Sequence, residues 1–171
     1  MMEQLPPQEV YLRPGEIYFG KGANITVRTL LGSCVAITLW HPKKHFGGMC
    51  HITMPARGFN GQIKQLDACY ADDAMWFFMN KINLFKLSPK EFVVRLYGGG
   101  RMFGNCGDNS KDIGGRNISS MQDQLDKHGF VVSESKSGGT VYRKIWLSLA
   151  NGNVRLIETR HKKQEHVVEF L

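Results

Sequence analysis

The sequence has no apolar run approaching the roughly 18 residues that a membrane-spanning helix needs. Its first stretch, MMEQLPPQEVYLRPG, holds no apolar segment resembling a secretory signal. The expected location is therefore cytoplasmic, without direct insertion into a membrane. Cysteines are few: Cys34, Cys50, Cys69 and Cys106 are widely spread and form no CxxC pair. In a reducing compartment that pattern argues for free thiols rather than a disulfide framework. Internal repeats and low-complexity linkers are absent. RRM, KH and helix-turn-helix signatures are absent as well. Nucleic acid is thus not the expected partner, although a net charge of +7 would suit one.

What is present is an ordinary globular chain of 171 residues, 42% hydrophobic and 22% charged. That length makes one domain and buries a core without staples. A single domain is expected over residues 1–158, with a tail at 159–171 whose basic run Arg160-His161-Lys162-Lys163 reads as a solvated face. The 19 glycines point to many turns and close backbone approaches. Strand patterns cover 10–19 (broken at Pro14-Gly15), 25–31, 35–40 and 46–54. A polar loop at 56–65 precedes a helix over 67–82, with Ala71, Met75, Phe78, Met79 and Ile82 on one face. Another strand spans 92–97, and a glycine-rich loop runs from Gly98 to Gly115. A second helix covers 117–128 with Gly129 as its stop. Strands at 130–133, 141–149 and 154–158 follow, the last two joined at Asn151-Gly152. Seven or eight strands and two helices make an α/β (α+β) sandwich of mostly antiparallel sheet.

The chemistry centres on Leu31-Gly32-Ser33-Cys34, which leads into a buried strand. Glycine lets the backbone turn sharply there, and successive amides around Gly32, Ser33 and Cys34 can converge on one oxyanion. Taken alone, Cys34 reads most plainly as a small buried hydrophobe. The hairpin that follows changes this. A two-residue turn at Pro42-Lys43 sets His51 directly opposite Cys34, with Cβ atoms about 4.5–5.5 Å apart. A proline-led turn twists such a hairpin the wrong way, so a bulge or longer loop is the alternative register. An imidazole against a thiol lowers the thiol pKa by forming an ion pair and makes the sulfur nucleophilic. Thr29 could orient the base with its hydroxyl, or be an ordinary β-branched strand residue. Cys50, next to His51, points to the opposite face and reads as packing.

Five blocks in order resemble the CheD family of chemoreceptor glutamine deamidases. They are Thr29 to Ala36 together with Gly47 to Pro55, Tyr70-Ala71-Asp72-Asp73-Ala74, Gly98 to Phe103, Ile113-Gly114-Gly115-Arg116-Asn117, and Gly138-Gly139-Thr140 with Arg143-Lys144. The resemblance runs over residues 26–158 and implies a CheD-like cysteine deamidase fold. It implies Cys34 as nucleophile, His51 as catalytic histidine and Thr29 as the third residue. Met54 stands where leucine is usual, and Cys69 where a basic residue is common. The implied reaction converts receptor glutamines to glutamate through a thioester, with hydrolysis of glutamate methyl esters by the same route. It needs no metal and no organic cofactor. The implied partners are chemoreceptor cytoplasmic helices and a CheC-type phosphatase. A basic rim of Arg28, Lys64 and Arg101 is expected to meet glutamate-rich helices.

Two other classes fit parts of the pattern. One is a non-enzymatic basic module binding nucleic acid or protein. The other is a zinc site of Cys34, Cys50, His51 and Cys69, disfavoured because neighbours 50 and 51 face opposite sides of a strand.

Overall fold

The computed structural model describes residues 6–58, 65–102 and 112–160. Cys106, Lys64, Phe103 and the 161–163 part of the basic run lie outside the described residues. Nine strands and two α-helices are present among them: β1 (Gln8–Tyr11), β2 (Ile17–Gly20), β3 (Ile25–Leu31), β4 (Val35–His41), β5 (Phe46–Cys50), α1 (Ala71–Leu84), β6 (Val93–Gly98), α2 (Ile113–Lys127), β7 (Val132–Ser137), β8 (Val141–Ser148) and β9 (Val154–Arg160). β9 runs to Arg160, so residues 159 and 160, expected in the tail, belong to the sheet.

The strands form two sheets, ordered β1-β3-β8-β9 and β2-β5-β4-β6-β7. Pairing is antiparallel except for β1 with β3 and β6 with β7. This is the expected sandwich of mostly antiparallel sheet with two helices. Pro14-Gly15 does more than break one strand. Proline cannot donate to a ladder, and Gly15 takes φ +81°, so the chain leaves β1 in one sheet and enters β2 in the other.

β4 is the central strand of the larger sheet, and every residue of Val35–His41 is buried. Its two faces serve two cores. Val35, Ile37 and Leu39 pack with Cys50, Ile52 and the α1 side chains Ala71, Ala74, Met75, Phe78 and Ile82. Ala36 and Trp40 pack with Met49 and, from the opposing sheet, Val27, Leu31, Ile145 and Leu147. Odd-numbered residues of β4 therefore meet the helices, and even-numbered ones meet the space between the sheets.

The acidic pair at the start of α1 is structural. Asp72 accepts from the Arg57 and Gly58 amides at 3.2 and 3.0 Å. Asp73 accepts from the Asp67 amide at 2.8 Å and pairs with the Arg57 guanidinium. Both carboxylates also suit a helix N-terminus.

α2 begins at Ile113, four residues before the expected start, with Asp112 capping through the Gly115 amide at 2.9 Å. The early start rests on Gly114 and Gly99. A Cβ on Gly114 would lie 2.4 Å from the Gly99 carbonyl oxygen, and one on Gly99 would lie 2.3 Å from the Ile118 side chain. The two glycine motifs, 98–100 and 113–117, are thus the two sides of one backbone-to-backbone contact.

Candidate active site

The β4–β5 hairpin closes with His41 paired to Phe46, not Lys44. Four residues fill the turn, His45 adopts φ +52°, and its amide bonds the His41 carbonyl at 2.9 Å. The longer loop slips the register by two residues from the two-residue turn expected above. Thr38 faces Met49, Val35 faces Ile52, and by extension Ala36 faces His51. Because side chains alternate with period two, this slip keeps His51 and Cys34 on one face. They are diagonal rather than direct neighbours, at a Cα separation of roughly 7–8 Å that a long side chain can bridge.

His51 projects between the sheets and is buried. Thr29 reaches it from β3 of the opposing sheet, with 2.8 Å between the hydroxyl and His51 Nδ1. β3 buries Val27, Thr29 and Leu31 and turns Arg28 and Leu30 outward. The Thr29 hydroxyl also donates to the Leu12 carbonyl at 2.8 Å. A hydroxyl has one proton, so its oxygen accepts from His51, and Nδ1 must carry the hydrogen. The Leu12 carbonyl, 3.4 Å from Nδ1, is a second acceptor for it. The tautomer that results leaves Nε2 as a bare lone pair. That atom is buried and makes no hydrogen bond to any described group, the Cys34 thiol included.

Cys34 is partly exposed at the corner, packed against the inter-sheet core. Burial raises its thiol pKa; its own amide works the other way, and neighbouring Cys69 adds to the rise. Burial likewise lowers the His51 pKa, against the Leu12 carbonyl and Glu16. The resting site therefore holds a neutral thiol and a neutral imidazole. The lowered thiol pKa expected from an ion pair is not found, because desolvation disfavours both charges.

The corner itself is held by three successive carbonyls. Gly32 accepts from the Gly100 amide at 2.8 Å, and Cys34 from the Gly99 amide at 2.8 Å. Ser33 accepts from Asn117 Nδ2 at 3.3 Å. The Ser33 amide donates to no described acceptor, and the Cys34 amide to none besides its own sulfur. A Cβ on Gly98 would sit 2.1 Å from the Cys34 carbonyl oxygen, which is why a glycine with φ +111° ends β6. Arg143, buried and paired with Glu158 at 2.9 Å, donates to the Gly98 carbonyl at 3.2 Å.

The other cysteines divide as follows. Cys50 is fully buried on the helix side, and its thiol is pushed up to about 12. Cys69 is partly exposed and pairs through its carbonyl with the Thr53 and Met54 amides. A zinc site sharing Cys50 and His51 is not available, since they face opposite layers. Of the expected rim, Arg28 lies on the solvent face of β3, ion-paired to Glu9 at 2.7 Å and stacked over Tyr11. It points away from the layer that holds His51. Arg101 follows the corner-binding loop, exposed and 3.4 Å from Asp112.

Asn117 also touches the corner, and the sequence carries a signal for its buried polar contacts. On α2 the buried positions are Gly114, Asn117, Met121 and Leu125. A polar side chain within an apolar helical stripe asks for buried partners.

The sandwich with its thiol corner and sheet-spanning histidine matches a known class: the chain belongs to the CheD family. The sequence profile of "CheD chemotactic sensory transduction" matches residues 53–158. A probable chemoreceptor glutamine deamidase CheD 1 of Leptospira interrogans is 37% identical over 160 residues, covering 90% of this chain and 94% of that protein. CheD 2 of Albidiferax ferrireducens is 35% identical over 155 residues, covering 90% and 89%. The CheD protein of Pseudomonas syringae pv. tomato is 36% identical over 148 residues, covering 85% and 86%. All three relatives carry the same probable deamidase description. No described helix is long and apolar enough to cross a membrane.

Proposed function

We propose that this chain is a protein-glutamine amidohydrolase that converts chemoreceptor glutamines to glutamate in chemotactic adaptation. Cys34 is the nucleophile, His51 the general acid and base, and Thr29 the group that orients the base. The observation that carries this reading is the Thr29–His51–Leu12 arrangement, which presents a bare, buried Nε2 on the face where Cys34 lies.

In the reaction, Nε2 takes the thiol proton as the sulfur attacks the side-chain amide carbon. Because the resting pair is neutral, proton transfer accompanies attack rather than preceding it. The oxyanion is held by amides of the Gly32-Ser33-Cys34 corner, which are fixed before substrate arrives. His51 returns its proton to the leaving nitrogen, ammonia departs, and a thioester remains. Water, activated by Nε2, attacks the thioester; glutamate leaves and the thiol regains its proton. A glutamate methyl ester enters the same sequence with methanol as leaving group. No metal or organic cofactor takes part in these steps.

The partners of this reading are chemoreceptor cytoplasmic helices and a CheC-type phosphatase, encountered in the cytoplasm. The test is mass spectrometry of a receptor cytoplasmic fragment after incubation with the enzyme. Deamidation adds about one mass unit at particular glutamines, and the Cys34→Ala protein should add none. An unmodified fragment with the wild-type protein, or equal modification by Cys34→Ala, refutes the reading.

A further inference from the structure

We infer that Asn117 is a positioning residue that aims the Cys34 amide at the developing oxyanion. The inference rests on the thioester reading and assigns work to a motif, Ile113 to Asn117, that the mechanism so far leaves unused.

Asn117 is completely buried. Its Nδ2 donates to the Ser33 carbonyl at 3.3 Å and to the Thr53 carbonyl at 2.9 Å. These carbonyls belong to the two chain segments beside the Val35–Ile52 bridge, the last pairing before the corner. One side chain therefore pins the corner to the strand that carries His51. Its Oδ1 is buried and has no partner among the described residues. Turning the amide over would face oxygen toward two carbonyls, so the donors are committed to this orientation.

The Ser33 carbonyl and the Cys34 N–H share one peptide unit, and no peptide bond in the described chain is cis. In a trans unit the two groups point in opposite directions. Asn117 draws the carbonyl toward α2, in the helix layer. The Cys34 N–H is thereby turned to the layer between the sheets, where His51 and Thr29 meet. That amide lies close enough to its own sulfur to stabilise it and gives its hydrogen to no other described acceptor. An oxyanion formed by attack of this sulfur arises beside it. Gly99 and Gly100 fix the carbonyls on either side, Cys34 and Gly32, so among the described residues Asn117 supplies the one hydrogen bond to the Ser33 carbonyl between them.

The experiment compares wild type with Asn117→Ala on the receptor fragment, following ammonia release, alongside alkylation of Cys34 by iodoacetamide. Alkylation needs the sulfur and its base but forms no oxyanion. Misaiming one oxyanion donor lowers kcat by roughly 10²–10³. KM should hardly move, and the alkylation rate should stay within about twofold. If a folded Asn117→Ala protein keeps kcat within about threefold, or loses alkylation in step with kcat, the proposal is overturned. If that variant does not fold, Asn117→Asp of equal size replaces it. A carboxylate cannot donate, whereas a protonated carboxyl donates once. Its rate relative to wild type should therefore be low at about pH 8 and recover toward about pH 6, and a flat ratio overturns the proposal. Inactivity of the wild type on the fragment would refute the deamidase reading itself, a different outcome from an active wild type matched by an active variant.

Discussion

Replacing Thr29 by valine keeps the shape of the β3 side chain and removes one oxygen. That oxygen both donates to Leu12 and accepts from His51, each at 2.8 Å. Losing it does not strand the imidazole, because the Leu12 carbonyl already lies 3.4 Å from Nδ1 and is freed by the same change. The Nδ1–H can swing to that carbonyl and the tautomer survives. One of two hydrogen bonds is lost, each worth about 0.5–1.5 kcal/mol net. Stability should therefore fall by about 1 kcal/mol. The rate should fall by roughly tenfold as the ring loses its fixed aim, since about 1.4 kcal/mol is one decade. Removing the base itself, as in His51→Ala, should cost roughly 10²–10⁴. The assay is ammonia release by Thr29→Val, His51→Ala and the double variant. If Thr29 acts only through His51, valine at 29 costs nothing further once the imidazole is gone. Costs that add in the double variant, or a Thr29→Val rate within twofold of wild type, would refute the orienting role.

Three further predictions follow from the burial of the pair. His51 is held below its ordinary value of 6.5, so the base stays neutral there and the acid limb of kcat/KM should lie below pH 6.5. Because the unfolded chain then binds the extra proton, the stability that His51 contributes is present above pH 6.5 and fades as pH falls through its folded pKa, which thermal melts against pH would register. Alkylation of Cys34 should slow markedly in His51→Ala while that of Cys69 does not change, and Cys50, pushed up to about 12, should react only on unfolding. Peptide mapping reads all three sites, and a Cys34 rate indifferent to His51 would contradict the proposed base.

Local pattern made much of this architecture legible. The apolar run of Ile25–Leu31 gave β3 its bounds, and alternation along 46–54 put Cys50 and His51 in opposite layers. The division into two sheets was not legible, since strand patterns carry no statement of which sheet a strand joins. The hairpin register slipped because His45 takes a left-handed conformation rare for a residue with a side chain. The start of α2 was hidden by Gly114 and Gly115, which read as loop, although Gly114 serves close packing against Gly99 and Gly115 against the capping Asp112 carboxylate. Thiol and imidazole acidities depend on desolvation, a property of the assembled layers that spacing along the chain does not carry.

The contacts that build the site also place it late in the life of the chain. Thr29 and His51 lie 22 residues apart, Leu12 and His51 39, and Ser33 and Asn117 84. Each closure is an entropic toll, and the longest cannot form until α2 has left the ribosome and docked. A nascent or partly refolded chain can thus hold β4 and β5 in place while its thiol corner is still unaligned. Recovery of turnover during refolding should trail the return of secondary structure, so the enzyme announces the completion of its own tertiary assembly.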